Sequence, residues 1–410
     1  MEGTDQHNTV LAYALEYGGL LIRPVIRPQG RPLISAVTGT NGKTTVASAT
    51  MQLMNRIGWR AACYDSMGVT DVHGVLREAN TYRSPDYFPE LIDREFRTGA
   101  EAVSIEAFVG ILADGLLDRV EVDVAVSTGF ERDHLDVHGS IEAYWRAKLR
   151  LFEEHLRPDG VALILSGSAQ SELVREAVRR RGARLVVVGD GGEVRLTELV
   201  EVAGSLVGQL VVGGNQFDVS LPTVHPVVAN NLLLAAGAVM SAGGSPDEVA
   251  DALTTVVPPP GRLEVIAEQN GVTAIVDTAH NPGALRAALQ SVRTRTRGRV
   301  ILVFGAGGES DRGKRPDMGA LAEELADIVI LTDDNPRREL PQQIRREVRI
   351  GAPNSIEIPD RRDAIRMAVW AARPGDSVLV AGRGDERFQL LAARRVPLDD
   401  REILQEEMTR

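Results

Sequence analysis

The chain has 410 residues, 43% of them hydrophobic, and its 46 basic and 57 acidic side chains leave a net charge of −11. That length fits two or three domains of about 150 residues each. An acidic balance with no long Lys/Arg block offers no track for a nucleic-acid backbone or an anionic membrane. The one cysteine, Cys63, excludes an internal disulfide framework and a cysteine-based metal site, and fits a reducing, cytoplasmic setting. The apolar stretch Leu11 to Ile22 follows acidic residues and is interrupted by Glu16 and two glycines. It reads as neither a signal peptide nor a membrane span.

Residues 33–45, LISAVTGTNGKTT, read as a β-branched strand, a glycine-rich turn and the start of a helix. Gly39 and Gly42 let the backbone turn tightly, so that its N–H groups and the helix N-terminus face a triphosphate. Lys43 is placed for the β- and γ-phosphates and the Thr44 hydroxyl for Mg²⁺, which makes ATP the expected ligand. The strict pattern wants glycine six residues before the lysine, where this chain has Val37, so the loop is a variant. A bare GKT triplet also arises by chance. Here a strand precedes it, and a helix follows with Val46, Ala49, Leu53 and Ile57 on one side, which favours nucleotide binding.

Beyond the loop, strand-like runs alternate with helical ones: 102–106, about 123–129, 161–165, 184–188, 273–277, 299–305, 327–332 and 377–381. The alternation predicts an α/β fold with mostly parallel sheets. Between about 194 and 221 shorter β-rich pieces predict a hairpin or small antiparallel addition, before a helical run over 227–241. Pro258-Pro259-Pro260-Gly261 excludes a helix and stiffens the chain. The expected division is a short N-terminal segment (1–32), a central P-loop ATPase domain (33–258) and a C-terminal Rossmann-like domain (261–410).

Several polar groups fall at strand ends, where parallel α/β folds place ligands. Glu106 closes one strand, and Asp133, His134 and Asp136 follow another. Alone, a histidine beside two acids serves as well as a surface cap. Downstream of a phosphate loop it also suits a Mg²⁺ shell of oxygen ligands and waters. His138 lies four residues after His134, but Leu135 removes the zinc-protease pattern. Lys148 sits on IEAYWRAKLRLF, whose apolar side is Ile141, Tyr144, Trp145, Leu149 and Phe152. By itself it reads as a snorkelling surface lysine. Asp277, His280 and Asn281 stand at a strand end directly before a helix. Gly305, Gly307 and Gly308 form a partial dinucleotide fingerprint with Ser310 in place of the last glycine, weak support for a nicotinamide cofactor. DDNPR (333–337) and AGRGDE (381–386) again follow strands.

Together these segments resemble the Mur ligase family of ATP-dependent amide-bond ligases. The resemblance runs over about 33–390 and rests on TGTNGKTT (38–45), Glu106, RDHLDVHGSIEAYWRAK (132–148), PGRLE (260–264), VDTAHNP (276–282), GKRPDMGALAEELAD (313–327), TDDNPR (332–337) and AGRGDE. It is nearest to the synthetases that add the third amino acid to a muramyl dipeptide, while EAFVGILADGLL (106–117) is similar to cyanophycin synthetase. It implies that Thr40, Asn41, Gly42, Lys43, Thr44 and Thr45 hold ATP, joined by Asn231, Arg262 and Asp277, the last two from across the domain junction. It reverses the reading of Lys148, which becomes a carbamylated lysine holding a second Mg²⁺ with Glu106 and His134 as neighbours, Thr44 being the loop's own ligand. His280 becomes a catalytic candidate for orienting phosphate and amine when the second domain closes. Asp334, Asn335, Arg337, Gly382 and Glu386 become candidates for the incoming amino acid. The implied reaction joins a carboxylate acceptor to an amino acid or amine through an acyl phosphate, releasing ADP.

The departures bear on substrates. Muramyl ligases carry a uridine-nucleotide domain ahead of the loop strand, and only residues 1–32 precede it here, which leads to the expectation of an acceptor without a UDP handle. The serine/histidine pattern after the metal glutamate is replaced by Ala107, Phe108, Val109 and Gly110. Ser310 stands where close relatives have an arginine for the amino acid, and GKGHE has become Gly382-Arg383-Gly384-Asp385-Glu386. Muramyl-tripeptide synthesis is the second enzyme reading, and a catalytically silent nucleotide-binding subunit the reading from another class. The oligomeric state stays open.

Overall fold

The computed structural model describes residues 22–78, 84–392 and 394–410. The stretch Leu11 to Ile22 lies outside them but for its last residue. No helix among the described residues is long and apolar enough to cross a membrane. The chain separates into two compact units, one of residues 1–131 and 145–258, the other of residues 132–144 and 259–410.

In the first unit, strands β1 (Leu33–Thr38), β2 (Ala61–Asp65), β3 (Gly68–Thr70), β4 (Leu76–Arg77), β5 (Ala102–Glu106), β6 (Val122–Ser127), β7 (Leu156–Leu165), β8 (Arg184–Val188), β9 (Val194–Val202), β10 (Ser205–Val212) and β11 (Asn215–Leu221) form one sheet. Their order is β11-β10-β9-β8-β7-β6-β1-β5-β2-β3-β4. The strands from β9 to β2 in that order are parallel. The flanking β10–β11 and β3–β4 are antiparallel. The β-rich stretch after 194 is thus a meander that continues the sheet's edge. All six residues of β1 are buried, as expected of a parallel strand covered on both faces. Successive strands go to opposite sides of β1, so the carboxyl ends of β1, β5 and β6 form a topological switch point, where such sheets bind ligands. Helix α1 (Lys43–Arg56) leaves the end of β1. Helix α2 (Ile141–Arg150) runs into a π-helical turn, Leu151–His155, before β7. Helix α3 (Pro226–Ser241) starts with proline at its first turn and packs on α1.

The second unit has a sheet of β12 (Glu264–Gln269), β13 (Val272–Asp277), β14 (Val300–Phe304), β15 (Ile328–Leu331), β16 (Ile356–Glu357) and β17 (Ser377–Ala381), ordered β12-β13-β17-β14-β15-β16. All its pairings are parallel except that of β12. Strands β18 (Phe388–Leu391) and β19 (Arg394–Pro397) make a separate hairpin. Helices α4 (Pro282–Arg293), α5 (Lys314–Leu325), α6 (Arg361–Ala371) and α7 (Asp400–Thr409) belong to it, as do those over Leu135–His138 and Pro341–Arg349. Each strand expected from the sequence is present, with ends shifted by a few residues. Strand β2 was not foreseen: AACYD is alanine-rich, a composition depleted in strands, and its burial comes from tertiary packing.

Candidate active site

The first unit gathers polar groups at the end of β1. Gly42 adopts φ 84 at the start of α1, and a Cβ there would lie 2.6 Å from Asn231 Oδ1, so α3 presses Asn231 onto the turn. The Thr44 hydroxyl donates to Glu106 Oε2 at 2.8 Å. The Ser66 backbone N–H donates to the same oxygen at 3.0 Å, and the Ser66 and Thr44 hydroxyls are 3.2 Å apart. Lys43 Nζ donates to the Thr40 carbonyl at 2.9 Å and lies 3.9 Å from Glu106 Oε1. Asn41 donates to Glu131, whose carboxyl is pushed up by burial against the help of that bond. Thr45 is buried in the first turn of α1. Oxygen donors from Thr44, Ser66 and Glu106 at one point are the set a hard divalent cation takes, so these residues fit Mg²⁺.

Lys148 corrects its surface reading. It is 1% exposed, and its Nζ donates to the Gly39 carbonyl at 2.6 Å, which ties α2 to the phosphate loop. Of the four metal candidates, Thr44, Glu106 and Lys148 belong to the first unit, whereas His134 belongs to the second.

In the second unit the centre is Asp133, which the sequence offered together with His134 and Asp136 as a group suited to a Mg²⁺ shell. It is 2% exposed and accepts from Lys314 Nζ and Asn281 Nδ2, both at 3.1 Å. His280 Nε2 lies 3.8 Å and His134 Nε2 3.7 Å from its carboxylate. Burial alone would push this carboxyl up. Lys314 and the two imidazoles more than offset that and hold it well below the usual carboxylate range. Asn281 caps α4, accepting from the Ala284 N–H at 2.9 Å. His134 takes a left-handed backbone, φ 54, with its N–H on Asp133 Oδ1. Asp277 accepts from the backbone N–H groups of Leu263 and Ala279, both at 2.8 Å, and burial raises its pKa against them and Arg262. Arg262 donates to the Thr278 hydroxyl.

A further polar cluster follows β15 and β17. Asn335 Nδ2 donates to Glu386 Oε2 at 2.5 Å. Burial raises the Glu386 pKa, and the Asp334 carboxylate adds to the rise. Asp334 Oδ2 is buried without a hydrogen-bond partner, and a Cβ on Gly382 would lie 2.5 Å from it. Arg337 Nη1 donates to the Gly308 carbonyl at 2.8 Å. The GAGG turn, expected as a weak dinucleotide fingerprint, answers to packing: a Cβ on Gly308 would meet the Pro336 carbonyl at 1.9 Å. Ser66 and Lys314 had no role in the sequence reading. Only their places after β2 and at the start of α5 could have pointed to them.

The fold and loop define an α/β P-loop ATPase unit accompanied by a Rossmann-like unit. The sequence matches the Mur ligase middle domain over residues 37–239 and the Mur ligase glutamate ligase domain over 261–384. It is 39% identical over 383 residues, 92% of this chain and 78% of the relative, to UDP-N-acetylmuramoyl-L-alanyl-D-glutamate-2,6-diaminopimelate ligase of Zymomonas mobilis subsp. mobilis. It is also 39% identical to the Caulobacter vibrioides enzyme of the same name, covering 89% of this chain and 77% of that one. A solved structure of a ligase of that name superposes with a TM-score of 0.61 at 29% identity, over 97% of this chain and 80% of the other. Folylpolyglutamate synthase of Mycobacterium tuberculosis shares the fold, with a TM-score of 0.69 at 23% identity over 92% of each chain. The chain belongs to the Mur ligase family, whose members are ATP-dependent, ADP-forming ligases.

Proposed function

We propose that this chain joins an amino acid to a carboxylate acceptor that carries no UDP handle, and that it works in the cytoplasm. The observation that carries the ligase chemistry is the convergence of Thr44, Lys43 and Glu106 at the glycine turn. An acceptor carboxylate oxygen attacks the γ-phosphorus of ATP, giving an acyl phosphate and ADP. The amine nitrogen then attacks the acyl carbon, the C–O bond to phosphate breaks, and the nitrogen loses a proton. Lys43 and the turn's N–H groups bind the phosphates. Thr44, Glu106 and Lys148, the lysine as its carbamate, are the proposed metal-holding groups, with His134. Bound there, Mg²⁺ supplies charge neutralisation on the transferring group. Asn231, Arg262 and Asp277 are proposed nucleotide contacts, His280 orients phosphate and amine, and Asp334, Asn335, Arg337, Gly382 and Glu386 receive the amino acid.

The departure in acceptor is supported by Phe108, 40% exposed two residues after Glu106, which offers an apolar surface. Ser310, whose hydroxyl turns back onto the Gly307 carbonyl at 3.0 Å, is a departure on the amino-acid side instead. Muramyl-tripeptide synthesis is the second reading, favoured by the relatives' names and by the intact Asp334-Asn335-Pro336-Arg337 segment. Mg²⁺-dependent ADP release with UDP-N-acetylmuramoyl-dipeptide plus diaminopimelate, set against UDP-free carboxylates plus amino acids, separates the two. Intact-mass analysis identifies the product. A tripeptide product overturns the first reading. A protein that binds ATP yet releases no ADP with any acceptor is the silent subunit.

A further inference from the structure

Arg383 is 1% exposed and reaches the amino-acid cluster through Asn335 and Glu386. Its Nη1 donates to Asn335 Oδ1 at 2.9 Å and its Nη2 to the Leu398 carbonyl at 2.9 Å. Its Nε lies 3.8 Å from Asp400 Oδ1, a fully buried carboxylate that Arg361 already grips at 2.9 and 2.7 Å. Asn335 Oδ1 accepts a second bond, from the Leu390 N–H, at 2.8 Å.

A side-chain amide can present either end, and its partners decide which. Both partners of Oδ1 are obligate donors, a guanidinium and a backbone N–H. Rotating the amide would turn its NH₂ onto two donors and its oxygen onto the Glu386 carboxylate, three unfavourable contacts in place of three bonds. The amide is therefore locked with Nδ2 on Glu386. We propose that Arg383 is a positioning residue for amine selection: through Asn335 it fixes the Glu386 carboxylate that the amino-acid substrate meets. This rests on the proposed ligase reading. Lysine keeps the charge but loses the planar fork that reaches Asn335 and Leu398 together.

The test is R383K, alone and in a double-mutant cycle with E386Q. The expected result is a rise in KM for the amino acid of about tenfold, the size of one charge-assisted hydrogen bond, while kcat and the KM for ATP move less than twofold. On the E386Q background R383K adds no further rise. A full additive rise there, or an unchanged amine KM, overturns the proposal. So does a parallel loss of kcat, ATP affinity and melting temperature, which a merely structural arginine gives. A crystal structure of R383K supplies an arm independent of turnover: Asn335 Nδ2 moves off Glu386, and unchanged amide geometry overturns the lock. If R383K does not fold, R383Q, which keeps a planar donor but loses the fork, is expected to give the same KM rise and the same absence of a further rise on the E386Q background. A wild type that releases no ADP with any amino acid sinks the ligase reading instead, and the crystal structure still decides the lock.

Discussion

Lys148 carries the sharpest single-residue consequence. An alkyl-ammonium side chain taken out of water needs partners, and the Gly39 carbonyl at 2.6 Å gives it one on the phosphate loop itself. A surface lysine at this position would be dispensable, whereas a buried one beside the nucleotide turn is not. Lys148→Ala is expected to lower kcat by about 10²–10³-fold, the scale of removing one fixed electrostatic contact from a site. ATP binding by calorimetry should change little, because Lys43 and the turn remain. If the lysine works as a carbamate, depleting bicarbonate lowers wild-type turnover and leaves the variant's residual turnover unchanged. A variant with wild-type ADP release would return Lys148 to an inert role. Glu106→Gln makes the companion case. It keeps an acceptor for the Thr44 hydroxyl and the Ser66 N–H but removes the charge a divalent cation needs. The Mg²⁺ concentration for half-maximal ADP release is expected to rise at least tenfold, and an unchanged Mg²⁺ titration would remove Glu106 from the metal-holding set.

At the scale of elements, the loops after β14 and β15 are fixed by one charged cluster. Glu339 accepts from buried Arg315 at 3.0 and 3.1 Å and from Arg312 at 2.8 Å, and it also takes the Glu309 N–H. The Arg315 bond is the largest cause holding the Glu339 carboxyl down to about 2, from an ordinary 4.5. Because the folded value is depressed, the stabilisation is complete above the ordinary value and is lost as pH falls from about 4.5 through about 2. Glu339→Gln is expected to cost about 2 kcal/mol at pH 7, the worth of a hydrogen bond to a charged group. The gap to wild type in urea denaturation should narrow on going to pH 3. A gap that stays constant with pH would mean that the ion pair contributes nothing. The elements themselves were mostly legible in the sequence, since β-branched runs such as Val300–Phe304 and amphipathic helices such as Pro282–Arg293 are decided locally. The short hairpin Phe388–Pro397 was not, because its strands, FQLL and RRVP, are only four residues each, too short for a periodic pattern to show.

Across the whole molecule, what the sequence showed and what it withheld divide by sequence separation. The turn Gly39–Thr45 and the strand-end Glu106 are local features, and their order along the chain was enough to read nucleotide binding. The Asp133 hub joins residues 148 and 181 positions away, and Arg383 reaches Asn335 over 48. No periodicity reports such pairings. The nucleotide turn also allows a test on the intact chain. Anything that binds the folded state and not the unfolded one stabilises by mass action, about 2.7 kcal/mol at a hundredfold excess over Kd. Spread over the unfolding entropy of a 410-residue chain, that is a rise in Tm of roughly 3 °C. Mg²⁺-ATP is expected to give such a rise in wild type by calorimetry, and EDTA to reverse most of it. Lys43→Ala should melt near wild type without ligand, since the Lys43 amine bonds the carbonyl of Thr40 three residues away and keeps a long contact to Glu106. The variant should lose most of the ligand-induced shift. An equal shift in variant and wild type would place ATP somewhere other than the glycine turn, and no shift in either would remove the nucleotide from the proposal altogether.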